Sequence, residues 1–195
     1  MILLASASLR RQQLLDQIGV SFTVLPQDVD ESLRAGEEPA DYVQRVAIAK
    51  AQSALPQLQQ HNCRLVLAAD TAVVCDGRVL GKPQSETEAV AMLLALAGRE
   101  HRVLTAVTAG DANGLRQLLS ESRVSFRDIT EAEARAYWRS GEPGGKAGGY
   151  AIQGLAAIFV SDLHGSYSGV MGLPLYETAC LLQQFAISCL PVDKI

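Results

Sequence analysis

A run of eleven residues, Leu65–Cys75, is apolar almost throughout and constrains the fold more than any other part of this chain. An apolar run without polar alternation is typical of a strand that is buried on both faces of a sheet. Strand-like and helix-like patterns alternate on either side of it. The sequence therefore predicts an α/β fold with Leu65–Cys75 inside the sheet.

The other elements follow from periodicity and from capping signals. Strands are predicted at residues 2–5 and 20–25 and twice within 101–127. The last two flank a turn near Gly110–Gly114, and this hairpin is expected to form either a dimer edge or an elongated lobe. Helices are predicted at residues 9–18, 39–54, 86–97, 131–139 and 175–187. Ser85 and Thr130, each followed three residues later by Glu, are predicted to begin two of them with capping boxes.

Composition limits the function classes. The chain has 195 residues, of which 48% are hydrophobic and 19% charged, enough for a full core in one domain or in two lobes that share a sheet. A net charge of −4 argues against general nucleic-acid binding. The four cysteines form no Cys-x-x-Cys pair, so a reducing compartment fits best. The apolar stretches at 1–5 and 155–160 are too short for a signal or membrane segment, so we expect a cytoplasmic protein without a membrane partner.

The segment Ser6–Arg11 joins the first strand to the first helix and carries two serine hydroxyls and two guanidinium groups. The N-terminus of a helix favours acids, so Arg10 and Arg11 are unfavourable there unless an anion lies among them. Backbone N–H groups, the Ser8 hydroxyl and the two arginines suit the oxygens of a phosphate. The segment therefore indicates either a phosphate site or a solvated basic turn.

Asp70 is the one carboxylate inside the apolar run. Burying it unpaired would cost several kcal/mol, so it is expected to meet a cation, a metal ion or water, as a catalytic group does. The alternative is a carboxylate that caps a turn together with Thr71. The Asp76-Gly77 turn predicts that residue 73 pairs with 80 and residue 71 with 82. This pairing would place Lys82 near Asp70. The alternative is that Lys82 is an ordinary surface lysine.

Acidic residues follow the second predicted strand. Asp28, Asp30 and Glu31 lie where open α/β sheets place ligands, and with Asp70 they are candidates to hold Mg²⁺. A solvated acidic loop is the alternative. Lys50 lies beside the apolar stripe of the helix at 39–54, a position from which lysines usually extend to solvent.

Seven short motifs, in order and at natural spacing, resemble the Maf family of nucleoside triphosphate pyrophosphatases. They are Ser6–Arg11, Asp30-Glu31, Ala69-Asp70-Thr71, Gly81-Lys82-Pro83, Lys146-Ala147-Gly148, Ile152-Gln153-Gly154 and Gly172-Leu173-Pro174-Leu175. The resemblance implies one domain over residues 1–195. Its fold would be a two-lobed α/β structure around a twisted mixed β-sheet with a central cleft, similar to inosine triphosphate pyrophosphatases. It also implies a homodimeric, metal-dependent hydrolase that cuts a nucleoside triphosphate into the monophosphate and pyrophosphate.

The resemblance also assigns residues. Asp70 matches the proton acceptor, and together with Glu31 it would hold Mg²⁺ or Mn²⁺. Catalysis would also use Lys82, and the phosphates and base would be bound by Ser8, Arg10, Arg11, Lys50, Thr71, Lys146 and Gln153. Arg10, Thr71 and Gln153 look like the branch that hydrolyses dTTP and UTP, whereas the branch acting on 7-methyl-GTP has Trp, Gln and Glu there. The chain departs from the family at Gly145, where relatives often have Asp.

Two other functions stay open at this point. One is a regulator of cell division that binds a nucleotide or a partner without turnover, since Maf relatives are associated with arrest of septum formation. A pure binder has no need of Asp70 among phosphates, where the carboxylate repels the ligand unless a metal intervenes. The other is a hydrolase of inosine or modified nucleotides on the same fold.

Overall fold

A computed structural model describes residues 1–189, in which seven strands form one mixed sheet. The strands are β1 (Ile2–Leu4), β2 (Phe22–Val24), β3 (Leu65–Cys75), β4 (Arg78–Leu80), β5 (Glu100–Asp111), β6 (Gly114–Phe126) and β7 (Val160–His164). Their order is β2-β1-β3-β5-β6-β7, and β4 pairs with β3. β1 runs parallel to β2 and β3, whereas β4 is antiparallel to β3 and β7 to β6. The predicted α/β class is confirmed.

Six α-helices accompany the sheet in the described part of the chain. They are α1 (Leu9–Gln17), α2 (Pro39–Ala54), α3 (Glu86–Leu96), α4 (Glu131–Arg139), α5 (Tyr167–Met171) and α6 (Leu175–Gln184). The five predicted helices are confirmed, although α6 ends three residues before the predicted residue 187. The sequence did not predict α5 or β7. No helix within residues 1–189 combines the length and the apolar character needed to cross a membrane.

The chain divides into two compact units. The first unit consists of residues 1–70, 105–120 and the segment from 172 onward, and the second of residues 71–104 and 121–171. The boundary falls between Asp70 and Thr71 within β3, so the long strand begins in one unit and ends in the other.

Helix α2 shows how the first unit is built. Pro39 stands at its first position, where the missing N–H is not needed. Its buried residues recur at helical spacing: Val43, Val46, Ala47, Lys50, Ala51 and Ala54. Ala51 and Ala54 pack with Leu3 of β1 and Val66 of β3 in one apolar cluster. This packing directs the Lys50 side chain toward the sheet rather than toward solvent.

The second unit has a core of its own, in which α3 and α4 are fixed by their caps. Thr130 and Glu133 form the complete capping box that the sequence predicted. Ser85 caps α3, but the carboxylate of Glu88 accepts from the N–H of Gln84, at 2.7 Å, instead of closing the box on Ser85. The capping box predicted at Ser85 is therefore only half formed.

His101 is buried in this core among aromatic rings. Its ring meets Phe126 edge to face at a centroid distance of 4.9 Å, and its Nε2 lies 2.8 Å from the Tyr150 hydroxyl. Its Nδ1 is buried with no hydrogen-bond partner among the described residues. Burial lowers the pKa of His101 from 6.5 to about 4, because the charged imidazolium cannot be solvated there.

We expect His101 to make stability depend on pH on the acid side. The folded-state pKa lies below the unfolded-state pKa, so the contribution is complete above pH 6.5 and is lost as the pH falls towards 4. When the pH is lowered from 7 to 5, the free energy of unfolding of the wild type, measured with urea, should fall by about 2 kcal/mol more than that of His101→Gln. The exposed His164, changed to Gln, is the matched control and should follow the wild type. Equal losses in all three proteins would contradict the assignment.

Candidate active site

Lys50, Asp70 and Glu31 form a charged cluster in the first unit. The Lys50 ammonium lies 2.8 Å from Asp70 Oδ1 and 2.6 Å from Glu31 Oε1. Lys50 and Asp70 are each only 7% exposed. Asp70 does meet a cation, as the sequence required, and Lys50 is buried rather than extended to solvent. The Lys50 ammonium thus lies within hydrogen-bonding distance of two carboxylates.

Helix α2 also holds the loop that carries Glu31. The Tyr42 hydroxyl donates to the backbone oxygen of Glu31 at 2.9 Å. Arg45 donates to the backbone oxygen of Ser32 at 2.8 Å and forms an ion pair with Glu37. Burial, followed by the negative charges of Asp70 and Glu31, raises the pKa of Tyr42 to about 12, which keeps its hydroxyl protonated as a donor. The loop is therefore anchored at Glu31 itself and at the next residue, Ser32.

The turn Ser6–Arg11 begins α1 in the way the sequence predicted. Ser8 is the N-cap, and no acidic residue lies in the first helical turn. The Arg11 guanidinium donates to the Ser6 hydroxyl at 3.0 Å and to the backbone oxygen of Gly172 at 2.7 Å. These bonds tie the start of α1 to the segment before α6, so Arg11 helps to order the turn.

The charges of this turn and of the carboxylates interact. Burial lowers the pKa of the Arg11 guanidinium, the charges of Asp70 and Glu31 oppose that shift, and the charge of Arg10 adds to it. The first unit therefore brings the basic turn and the acid-lysine cluster into one electrostatic environment.

In the second unit, the β3–β4 hairpin turns at Asp76-Gly77, where both residues have positive φ, of 49° and 75°. Val73 pairs with Leu80, which confirms the predicted register. β4 ends at Leu80, before Lys82, so the pairing of Thr71 with Lys82 stays a prediction. Thr71 is partly buried and the Lys82 side chain is exposed.

The glycine-rich segment at 146–149 lies against this hairpin. The N–H of Gly148 donates to the backbone oxygen of Gly81 at 3.0 Å, which brings the loop of Lys146 beside the loop of Lys82. Gly148 has a φ of +67°, and a Cβ there would lie 2.9 Å from the Val73 side chain. Only glycine allows this approach.

The Lys146 ammonium donates to the backbone oxygens of Glu142 and Gly144. Carbonyl groups of its own loop therefore contact this ammonium. Gln153 is exposed, whereas its neighbour Ile152 is buried and Gly154 is partly buried. The Glu142 carboxylate, which the sequence did not single out, contacts the backbone on the C-terminal side of Gln153.

The predicted four-acid magnesium site is wrong as a group. Within residues 1–189, no three His, Cys, Asp or Glu side chains lie close enough together to hold a metal ion. Asp30 is exposed, and its Oδ1 accepts from the N–H of Ser32 at 2.9 Å. Glu31 and Asp70 are the two carboxylates that share a cation, and a pair of this kind suits Mg²⁺ when phosphates and water complete its octahedron.

The fold and these side chains define a mixed α/β protein whose first unit carries a buried lysine–carboxylate cluster and a basic turn at the start of α1. A family profile described as Maf-like protein matches residues 1–185, and the chain belongs to the Maf family.

Named relatives are similar over nearly their whole length. A dTTP/UTP pyrophosphatase of Saccharophagus degradans is 51% identical over 188 residues, covering 94% of this chain and 88% of its own. A dTTP/UTP pyrophosphatase of Nitrosomonas europaea is 50% identical over 197 residues, covering 96% and 95%. The solved Staphylococcus aureus Ham1 protein is 18% identical with a TM-score of 0.44, covering 67% of this chain and 72% of its own, too low a likeness to support an argument.

We expect Lys50→Met to destabilise the protein by about 3–5 kcal/mol, because it leaves the buried Asp70 carboxylate without its ammonium. Adding Asp70→Asn should recover part of that loss, since the neutral amide no longer needs a cation. Urea unfolding of both variants measures the effect. Lys82→Met removes an exposed ammonium and should cost much less. A Lys50→Met variant as stable as Lys82→Met would contradict the role of the pair.

Proposed function

We propose that this protein hydrolyses dTTP and UTP to the nucleoside monophosphate and pyrophosphate. The observation that carries the proposal is the buried Asp70, held by Lys50 beside Glu31 in a chain of the Maf family. Relatives about 50% identical over most of this chain are named dTTP/UTP pyrophosphatase.

Basic side chains would bind the triphosphate. Arg10 and Ser8, at the start of α1, would meet phosphate oxygens with the help of the backbone N–H groups of the helix. Arg11 would hold this turn in place and add its charge. Lys82 and Lys146, whose loops meet through Gly81 and Gly148, would neutralise the negative charge that develops on pyrophosphate.

Asp70 would act as the proton acceptor. Water attacks the α phosphorus, the bond from that phosphorus to the bridging oxygen breaks, and the proton of the water passes to the Asp70 carboxylate. Glu31 and Asp70 would hold Mg²⁺ or Mn²⁺, and the ion would offset charge on the phosphates. Lys50 would keep both carboxylates oriented, which is how positioning contributes to such a reaction.

Base selection would fall to Arg10, Thr71 and Gln153. The Gln153 amide can both donate to and accept from a pyrimidine edge, and its exposed position supports this role. The other branch of the family, with Glu at this place, would present only acceptors.

The remaining expectations come from the family resemblance and from the cysteines. We propose that residues 1–195 act as one domain, as a homodimer, in the cytoplasm. The continuity of β3 through both units supports the single domain. All four cysteines are free, in keeping with a reducing compartment.

Steady-state release of pyrophosphate from a panel of nucleoside triphosphates, with Mg²⁺ or Mn²⁺, tests the reaction. We expect dTTP and UTP to be cleaved to monophosphate and pyrophosphate in preference to ITP and methylated nucleotides. Product analysis separates pyrophosphate from single phosphates. Binding of dTTP without release by the folded protein would overturn the proposal in favour of a binding regulator.

Asp70→Asn should lower pyrophosphate release from dTTP by at least about 100-fold, because the amide cannot accept the proton. Nucleotide binding, followed by calorimetry, should stay measurable. Asp76→Asn changes an exposed carboxylate in the hairpin turn and should retain full turnover. Near-normal turnover by Asp70→Asn would show that another group takes the proton.

Gln153→Glu should lower kcat/KM for UTP about tenfold, because the carboxylate cannot donate to the carbonyl oxygens of the base. The loss should appear mainly in KM, since residue 153 would not touch the reacting phosphates. Gln60→Glu makes the same change at an exposed position of the first unit and serves as the control. An unchanged KM would exclude Gln153 from base binding.

A further inference from the structure

The Glu142 carboxylate links its own loop to two other segments of the second unit, α4 and residues 155–156. Oε1 accepts from the Tyr137 hydroxyl of α4 at 2.6 Å, and Oε2 accepts from the N–H of Leu155 at 2.9 Å. The N–H of Ala156 also points to Oε1, at 3.4 Å. Desolvation opposes the charge of Glu142, but these hydrogen bonds outweigh it and hold its pKa below the usual value. The side chain is therefore a charged acceptor with both oxygens engaged.

The carboxylate replaces a missing helix cap. A short 3₁₀ helix spans Leu155–Phe159, and its N-cap is Gly154, which has no side chain to accept the first N–H groups. Glu142 supplies that acceptor from thirteen residues earlier in the chain. A Cβ on Gly154 would lie within 2.5 Å of the carboxylate atoms, so glycine is needed for the approach.

The same network brackets Gln153. The Tyr137 hydroxyl, while donating to Glu142, accepts from the N–H of Ala151 at 3.1 Å. The backbone is thus held two residues before Gln153, by Tyr137, and two residues after it, at Leu155, by Glu142. Gln153 lies at the exposed centre of a segment whose two ends are fixed.

Glu142 also holds the candidate phosphate-binding lysine. Its backbone oxygen accepts from the Lys146 ammonium, while its carboxylate fixes the segment of Gln153. One residue therefore contacts both Lys146 and the segment of Gln153, two groups that would bind different parts of a nucleotide in the proposed function.

We infer that Glu142 is a positioning residue for base recognition, whose carboxylate holds the segment Ala151–Leu155 so that the Gln153 amide meets the pyrimidine edge. The inference rests on the proposed function and extends it to a residue that does not itself touch the nucleotide. Glu142 would differ from a purely structural residue, because a change at Glu142 should affect catalysis only when the Gln153 amide is present.

A double-mutant cycle on dTTP hydrolysis tests this. Glu142→Gln keeps the shape but places an NH2 group against N–H or O–H donors, so at least one hydrogen bond is lost. We expect kcat/KM to fall about tenfold through KM, with kcat within about threefold of the wild type. In a Gln153→Ala background the same change should alter kcat/KM by less than about twofold, because the amide it positions is gone. Glu131→Gln, at an exposed position of α4, is the matched control and should have no effect.

The outcomes separate this inference from the proposed function. A wild type that releases no pyrophosphate overturns the proposed function before any variant is compared. Suppose that the wild type is active and that Gln153→Ala impairs it. If Glu142→Gln then lowers kcat/KM by the same factor in the wild type and in Gln153→Ala, only the positioning role is overturned. An active Glu142→Gln with wild-type KM does the same.

Tyr137→Phe keeps the test decisive if Glu142→Gln does not fold. It removes the hydroxyl that orders both Glu142 and Ala151, and should show the same dependence on Gln153. Faster amide exchange at residues 151–156 in this variant, measured without nucleotide, would support the positioning role. The positioning role would be contradicted by two results together. Amide exchange at residues 151–156 would keep the wild-type rate, and the effect of Tyr137→Phe on KM would persist in the Gln153→Ala background.

Discussion

The buried ammonium of Lys50 is the interaction on which the polar interior of the first unit depends. It lies at 2.8 Å from a carboxylate that interrupts the most apolar strand of the chain and at 2.6 Å from a second carboxylate on a loop. Neither Lys50 nor Asp70 could be buried alone at an acceptable cost, since an isolated ion loses its hydration. The apolar stripe of α2 contains one charged residue, Lys50, and the apolar run of β3 contains one, Asp70. Each is buried because it forms an ion pair with the other.

The second unit orders its candidate groups in a different way. The Lys146 ammonium donates to carbonyl oxygens of its own loop, and that loop is joined to the hairpin by a backbone hydrogen bond between Gly148 and Gly81. Carbonyl oxygens hold an ammonium without requiring a buried carboxylate, so the desolvation cost is smaller than for a buried ion pair. The glycines at 148 and 154 matter because they let other groups approach, Val73 in one case and the Glu142 carboxylate in the other.

The sequence was informative where a pattern is local. The apolar run predicted β3 with its bounds, and Asp76-Gly77 predicted the hairpin register, because both turn residues need positive φ. It failed at Asp30, which belongs to no group of three metal-ligating side chains among the described residues. It also failed at the edge strand β7, where little burial leaves no apolar alternation to detect. Glu142 could not be found at all, since its partners are five to fourteen residues away and a glycine-rich loop gives no sign of them.

The charge pattern of the first unit supports the proposed binding of a nucleotide together with a divalent cation. Glu31 and Asp70 share a single ammonium, so a bare phosphate approaching them meets net repulsion at short range, which is weakly screened near a buried pair. The arginines at the start of α1 would attract the same phosphate from the helix end. In the proposed function, a divalent cation carried by the phosphates would reconcile these opposing effects, because the carboxylates would attract the cation while the arginines would attract the phosphates. Two carboxylates rather than a closed cage of ligands are what such an arrangement requires.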